Sequence, residues 1–250
     1  MTGQQNSEII YGRNVVLEAL KAGTPINRIL YCGERKGSLS LLIARAKEAK
    51  IIVTEVSKQK LTELSGTDNH QGVAAYVSPQ PYSTVEEILQ KALERQEPPF
   101  VIVLDEIQDP HNLGAIIRTA DAVGAHGVII PKRRSVQLTG VVSKASAGAI
   151  SYVPVARVTN IPVVLKELKE AGLWIYGTDL SGETPFYATD MKGPLALVIG
   201  SEGSGMGRLT KQQCDFILSI PMDGQVSSLN ASVAAGVVLY EIFKQRKQLK

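Results

Sequence analysis

Apolar and polar positions alternate with two different periods along the first third of the chain. Apolar residues recur at helical spacing over residues 13–22, 39–49 and 58–64, which predicts helices there. They form extended runs over 27–31, 51–56 and 72–77, which predicts strands. This alternation predicts a small α/β domain over residues 1–78. Prolines at 79, 81, 98 and 99 bracket a short amphipathic segment that Ser83 or Thr84 can cap, so residues 79–98 are predicted to form a linker containing a helix.

The remainder, residues 99–250, predicts a second and larger domain. It opens with FVIVL at 100–104, a continuous apolar run typical of a strand buried on both faces of a parallel sheet. Apolar residues at helical spacing predict a helix over 112–123, from which Arg118 projects away from the apolar face. More strands are predicted at 127–130, 152–155, 173–177, 195–199 and 216–220, and a long helix over 229–246. The fold class is therefore α/β with a mostly parallel sheet.

Composition narrows the class of protein. The chain has 250 residues, of which 44% are hydrophobic and 20% charged, as in ordinary folded proteins. Its apolar runs fall short of the roughly 20 residues that span a bilayer, and its first residues lack the features of a secretory signal. A cytoplasmic protein without a membrane span is expected. Cys32 and Cys214 fit no CxxC pattern, so we expect reduced thiols and no metal site.

Charge permits a nucleic-acid partner without requiring one. The net charge is +3, and one local cluster comprises Lys132, Arg133 and Arg134. These three side chains can grip phosphates, but they fit a solvated loop equally well.

Three segments combine strand ends with polar loops, which is where open α/β sheets bind ligands. Residues 104–130 place a helix start, with its free N–H groups, after a buried strand. Residues 195–209 place a glycine-rich turn after a strand, so a ligand can approach the backbone. Residues 217–241 deliver a strand end, a loop and a helix start bearing Ser228 and Asn230.

Each segment also has a purely structural interpretation. Glycine-rich turns are common after strands. Ser228 and Asn230 can act as helix caps without any catalytic role, and Arg118 can pair with Asp121 on the surface. The turn at 200–207 lacks the spacing of a dinucleotide fingerprint, a phosphate loop or a nucleophile elbow. A nicotinamide-dependent oxidoreductase and a serine hydrolase are therefore disfavoured.

Taken together, the three segments resemble the motifs of the SpoU/TrmH family of RNA ribose 2′-O-methyltransferases, within the SPOUT superfamily. The matching motifs are Asn112-x-Gly114-x-x-x-Arg118-Thr119-Ala120, Ile199-Gly200-x-Glu202-Gly203-x-Gly205, and Ile220-Pro221-Met222 followed by Ser228-Leu229-Asn230. The first domain resembles the ribosomal-protein-like RNA-binding domain of some members, with its opening Gly12-Arg13-Asn14-Val15-Val16.

The resemblance implies properties that the residue patterns do not show. It implies a C-terminal deep trefoil knot, a homodimer, and S-adenosylmethionine as the cofactor. The residues that it implies for the cofactor pocket are Gly200, Ile220, Met222 and Leu229, with Thr178 and Asp179 at the edge.

Catalytic roles also follow from the resemblance. It gives the central role to Arg118. A guanidinium keeps its proton at neutral pH, so we expect Arg118 to bind phosphate and to stabilise the developing alkoxide. Asn112 and Glu202 are expected to position Arg118, and Ser228 and Asn230 to hold the ribose or the backbone beside it.

The expected substrate follows from the attached first domain. It favours a guanosine of large-subunit (23S) ribosomal RNA. The alternatives are a transfer-RNA guanosine 2′-O-methyltransferase and a non-catalytic RNA-binding or ribosome-assembly protein.

Overall fold

The chain divides into two compact units. The computed structural model describes residues 8–21, 23–182, 184–201, 203, 205–225 and 228–248. One unit comprises the residues up to Pro81 together with 137–141, and the other comprises 82–136 and the residues from 142 onward. The first boundary, between Pro81 and Tyr82, lies within the segment predicted as a linker.

The smaller unit is a four-stranded sheet with helices. Its elements are β1 (Glu8–Tyr11), α1 (Arg13–Lys21), β2 (Ile26–Tyr31), α2 (Ser38–Glu48), β3 (Ile52–Glu55), α3 (Lys58–Ser65) and β4 (Val73–Val77). The strand order is β1-β4-β2-β3, in which β2 and β3 are parallel and the other pairs antiparallel. Ile29 of β2 and Leu39 and Leu42 of α2 are fully buried and belong to its core.

The larger unit is built around a parallel sheet. Its elements are α4 (Val85–Glu94), β5 (Phe100–Leu104), α5 (Pro110–Ala122), β6 (Gly127–Pro131), α6 (Gly140–Ala145), β7 (Val155–Val158), α7 (Ile161–Glu170), β8 (Trp174–Thr178), β9 (Thr184–Pro185), β10 (Leu195–Ile199), α8 (Arg208–Lys211), β11 (Phe216–Ser219) and α9 (Ala231–Arg246). Among the described residues the sheet has seven strands in the order β7-β6-β5-β10-β8-β11-β9, and every pair is parallel. The prediction of an α/β fold with a mostly parallel sheet is confirmed.

Helix α4 packs into the core of the larger unit. Thr84 and Glu87 form a capping box at its start, and Ile88 is fully buried among sheet residues. A side chain on Gly127 would lie 2.5 Å from Ile88, so the absence of one lets α4 approach β6 closely.

One strand begins later than predicted. The pattern places it at 152–155, whereas β7 spans Val155–Val158. A 3-10 turn at Ala149–Ser151 precedes it, and Tyr152, which the apolar pattern counted as a strand residue, is 72% exposed. Among the described residues, no helix is both long and apolar enough to cross a membrane.

The sheet order brings the informative loops together. Strand β10 lies between β5 and β8, and β11 pairs with β8. Because all these strands are parallel, the loops that follow Leu104, Thr178, Ile199 and Ser219 emerge at the same edge.

Candidate cofactor pocket and active site

A cavity of about 230 Å³ opens at this edge, between the ends of β8, β10 and β11 and the start of α9. Its lining includes all six residues that the resemblance names for the cofactor: Thr178, Asp179, Gly200, Ile220, Met222 and Leu229. Ser228 also lines it, as do apolar side chains from β11 and α9, among them Leu218 and Ala234. The second and third motifs therefore form one apolar-walled pocket with polar loops at its rim.

The glycine-rich turn is closed by its own backbone. Ser201 and Gly205 exchange two N–H to carbonyl hydrogen bonds, both 3.0 Å long. A Cβ on Gly200 would lie 2.3 Å from the carbonyl carbon of Gly205, so only glycine allows the two arms of the turn to approach this closely.

A buried carboxylate holds the far end of that turn. Asp105 directly follows β5 and is 7% exposed. Its Oδ2 accepts a hydrogen bond of 2.8 Å from the Gly207 N–H, and its own N–H donates to the Ile199 carbonyl. Asp105 thus connects the loop after β5 to both arms of the glycine-rich turn.

The rim of the pocket carries the ionised carboxylate of Asp179. Burial by itself would raise the pKa of Asp179, but hydrogen bonds from Ser181 and the Lys211 ammonium lower it below its ordinary value. The Oδ1 atom lies 2.6 Å from the Ser181 hydroxyl and 3.1 Å from Lys211 Nζ. These contacts fix the carboxylate as a hydrogen-bond acceptor at the rim.

The first and third motifs meet through two asparagines. The Asn230 side chain caps α9 by accepting from the N–H groups of Ser232 at 3.0 Å and Val233 at 3.3 Å. Its Nδ2 donates to Asn112 Oδ1 at 3.0 Å, and Asn112 is 6% exposed near the start of α5. Asn230 is therefore a helix cap and also joins the two motifs.

Arg118 lies apart from the pocket lining. It is exposed on α5, as its helical position predicts, while Ile116 and Ile117 of the same helix are fully buried. Within the described part of the chain it forms no ion pair, and in particular none with Asp121. Glu202, the other charged residue of the predicted active site, lies outside the described residues.

The basic cluster at 132–134 is attached to the same edge of the sheet. It follows β6 directly, and Arg134 pairs with Glu106 at 3.2 Å. The Ser135 hydroxyl and the Val136 N–H both donate to the Ile107 carbonyl. The cluster is thereby held against the loop that follows β5.

Some contacts of the site escaped the sequence patterns. Asp105 and Gly207 are 102 positions apart, and nothing local marks their hydrogen bond. A polar residue directly after a buried strand was the one available signal for Asp105. Lys211 lies on the short helix α8 and carried no signal at all.

Comparison with known proteins identifies the class. Residues 99–240 match the model of the SpoU rRNA Methylase family, and residues 9–83 match the model for RNA 2′-O ribose methyltransferase substrate binding. The TrmH family tRNA/rRNA methyltransferase YacO of Bacillus subtilis is 49% identical over 97% of each chain. A TrmH family tRNA/rRNA methyltransferase of Staphylococcus haemolyticus is also 49% identical, over 96% of this chain and 97% of the relative.

Solved structures agree with the sequence matches. The SpoU methyltransferase AviRb of Streptomyces viridochromogenes, in complex with AdoMet, superposes with a TM-score of 0.62 at 27% identity, covering 97% of this chain and 92% of that one. An AdoMet-bound rRNA methyltransferase of Sinorhizobium meliloti gives 0.58 at 27% identity, with coverage of 98% and 88%. Fold and sequence together define an RNA methyltransferase. The chain belongs to the SpoU/TrmH family, which confirms the resemblance.

Proposed function

We propose that the chain transfers the methyl group of S-adenosylmethionine to a ribose 2′-hydroxyl of RNA, and that the substrate is a guanosine of large-subunit (23S) rRNA. S-adenosylmethionine is the methyl donor of this RNA methyltransferase. The observation that carries the proposal is the cavity, because its lining joins Thr178 and Asp179 to the second and third motifs.

The pocket fits an adenosyl group in its chemistry. Leu218, Ile220 and Leu229 provide apolar surface for a purine ring, and Gly200 borders the cavity without a side chain that would fill it. The Asp179 carboxylate supplies an acceptor for hydroxyl or amino groups. When bound there, the sulfonium makes its methyl group electrophilic, and the residues of the chain bind and orient the two reactants.

Arg118 is proposed to act on the RNA. Its guanidinium stays protonated at neutral pH and presents a fork of donors, so it binds a phosphate and stabilises the negative charge developing on the 2′-oxygen. Asn112, Glu202, Ser228 and Asn230 are proposed to position Arg118 and the ribose. The hydrogen bond between Asn112 and Asn230 supports this grouping.

A homodimer and a C-terminal deep trefoil knot form part of the proposal. Helix α9 leaves an exposed apolar stripe, comprising Val233 at 51%, Val237 at 37% and Tyr240 at 54% exposure. Residues at this spacing share one helix face, and an apolar face of this kind suits a partner subunit. The proposed organisation is an RNA-binding, ribosomal-protein-like domain at 1–78, a linker at 79–98 whose helix α4 packs into the core of the larger unit, and a catalytic domain at 99–250.

The substrate is tested by mass spectrometry of nucleosides from ribosomal and transfer RNA, purified from cells with and without the gene. Loss of 2′-O-methylguanosine from large-subunit rRNA is expected. Loss from transfer RNA would overturn the choice of substrate but keep the chemistry. Unchanged methylation in both RNAs would favour the non-catalytic alternative.

The role of Arg118 is tested with Arg118→Ala and Arg118→Lys, using Arg95→Ala as the matched control because Arg95 is exposed at the end of α4. Methyl transfer should fall at least about a hundredfold in both Arg118 variants, since lysine lacks the planar fork. Affinity for S-adenosylmethionine should persist. Normal turnover by Arg118→Ala would refute the assignment.

A further inference from the structure

A second cavity, of about 520 Å³, lies in the smaller unit, far along the chain from the methyl-donor pocket. It is bordered by Arg13 at the start of α1, Lys58 at the start of α3, and the loop from Asp68 to Gly72 that leads into β4. The described residues that border it all belong to the smaller unit, and the roles proposed above do not use it.

Arg13 is held rigidly by neutral partners. Its Nε donates to the Gln71 carbonyl at 2.9 Å and its NH1 to the Ser38 hydroxyl at 3.3 Å, while its backbone N–H donates to Gln71 Oε1 at 3.0 Å. A guanidinium has five N–H donors. Three of them, including both on NH2, are left for a ligand.

The charge of Arg13 is not compensated within the described residues, where no carboxylate lies within ion-pair distance of it. Four other cations of the same unit are paired, namely Lys21 with Glu18, Arg35 with Glu55, Lys36 with Glu34 and Lys60 with Glu63, whereas Arg28, Arg45 and Lys47 also form no ion pair among the described residues. Lys58, the second cation at the cavity, is exposed and likewise has no ion-pair partner in the described part of the chain. Arg13 and Lys58 thus bring two positive charges to the cavity, against the single negative charge of Asp68.

The loop beside Arg13 keeps a strained conformation. Gln71 has a φ of 53°, and Gly72 has a φ of 76° with Cys32 O only 3.0 Å from where a Cβ would lie. Non-glycine residues in this region of backbone space cost free energy and persist where the surroundings enforce them, often at ligand sites. Strain at the residue that orients Arg13 is thus a second observation, independent of charge.

A buried histidine enforces that loop. His70 is 2% exposed, and its Nδ1 accepts the Gly72 N–H at 3.0 Å. Its Nε2 therefore carries the proton and donates to Thr62 Oγ1 at 3.3 Å, and the Thr62 hydroxyl donates to Asp68 Oδ1 at 2.9 Å. This chain of hydrogen bonds ties Asp68, which also borders the cavity, to the buried histidine.

We propose that this cavity binds one nucleotide of the RNA substrate, with its backbone phosphate on Arg13 and Lys58 and a ribose hydroxyl or base amino group on Asp68. Arginine forks match phosphate geometry, and a carboxylate beside them selects a ligand that also carries donors, which a bare phosphate lacks. The inference rests on the proposed function, since it takes the substrate to be RNA. It assigns to the smaller unit a defined contact that anchors RNA while another part of the same molecule is methylated.

The test measures binding of in vitro transcribed 23S rRNA to the full chain by filter binding at several KCl concentrations. Arg13→Ala should weaken binding about tenfold, as expected for one charge-assisted phosphate contact. The slope of log affinity against log salt should also become shallower by about 0.7–0.9. Arg13→Lys should restore the slope but only part of the affinity, because lysine keeps the charge and loses the orienting hydrogen bonds.

Two further variants separate a binding role from a folding defect. Lys58→Gln alters an exposed side chain and should weaken RNA binding in the same direction without lowering the melting temperature. Arg45→Ala, an exposed arginine on α2 away from the cavity, is the matched control and should bind RNA within about twofold of wild type.

The outcomes distinguish this inference from the proposed function. Wild-type affinity and salt slope in both Arg13→Ala and Lys58→Gln would overturn the cavity as an RNA site, whatever the methylation assay shows. A wild-type protein that binds 23S rRNA through Arg13 but transfers no methyl group would overturn the proposed function and leave the binding site standing.

Discussion

Gly200→Ala should weaken the binding of S-adenosylmethionine at the proposed methyl-donor pocket, because the added side chain overlaps the backbone of the turn. The added Cβ would lie 2.3 Å from Gly205 C, 2.4 Å from Met206 N and 2.6 Å from Gly205 O. Ordinary contact begins near 3.4 Å, so the arms of the turn must separate by about 1 Å. Overpacking of this kind costs about 1–3 kcal/mol, and if the pocket bears that cost, affinity for S-adenosylmethionine falls about 5- to 150-fold. Isothermal titration calorimetry measures this affinity directly.

The matched control lies in the same turn. Apart from its chain neighbours, no described residue has an atom within 4 Å of where a Cβ on Gly203 would lie, and Gly203 lines the same cavity. Both substitutions remove the same conformational freedom from the unfolded chain. The difference between the affinities of the two variants for S-adenosylmethionine therefore reports the overlap alone. Gly203→Ala should bind the donor within about threefold of wild type. Equal loss in both variants, or wild-type affinity in Gly200→Ala, would refute this reasoning.

Three further predictions concern residues that support the fold and the site. Asp105→Ala removes the acceptor for the Gly207 N–H, a charge-assisted hydrogen bond worth about 1.5–3 kcal/mol, and should raise the KM for S-adenosylmethionine. Asp105→Asn keeps an acceptor and should raise that KM less. Equal KM values in the two variants would count against a positioning role for Asp105. Asn230→Ala should lower the free energy of unfolding by about 1 kcal/mol, because the helix cap is lost. Asn230→Ser keeps a cap but loses the hydrogen bond to Asn112, so it should slow turnover with little loss of stability. A urea titration measures the stability of each variant, and a turnover assay measures its activity. Burial lowers the pKa of His126 and outweighs the opposite effect of its partner Glu97, so the folded state favours the neutral ring. The free energy of unfolding should therefore be highest above pH 7 and should decrease as the pH falls below about 6.5, where the unfolded chain binds the proton more readily. His126→Gln should make that decrease smaller.

The centre of the sheet in the larger unit was predictable because strands β5 and β10 are buried on both faces. FVIVL at 100–104 and LALVI at 195–199 are apolar at every position, and both are completely buried strands. Tyr152 misled the prediction, since an apolar ring inside a short run resembles a strand residue and proved to be exposed. Such an error is expected where a run is short and its burial depends on the neighbouring turn.

The site was predictable only in part. Helical spacing gave the exposure of Arg118, and the family resemblance named six residues that line one cavity, whose roles stay predictions. The hydrogen bond that the Gly207 N–H donates to Asp105 and the ion pair of Lys211 with Asp179 join residues distant in sequence. Only the arrangement of strands brings these residues together. Similarly, α4 was predicted as an amphipathic helix of a linker, and its sequence did not reveal that its apolar face, with Ile88, would enter the core of the larger unit.

Methyl transfer is tested most directly by reacting the purified protein with methyl-deuterated S-adenosylmethionine and, in separate reactions, unmodified 23S rRNA and unmodified transfer RNA, followed by mass spectrometry of the nucleosides. Deuterated methyl groups are expected on the ribose of a guanosine in 23S rRNA, and none when Arg118→Ala replaces the wild type. Label on a base, or no label in ribose from either 23S rRNA or transfer RNA, would contradict it.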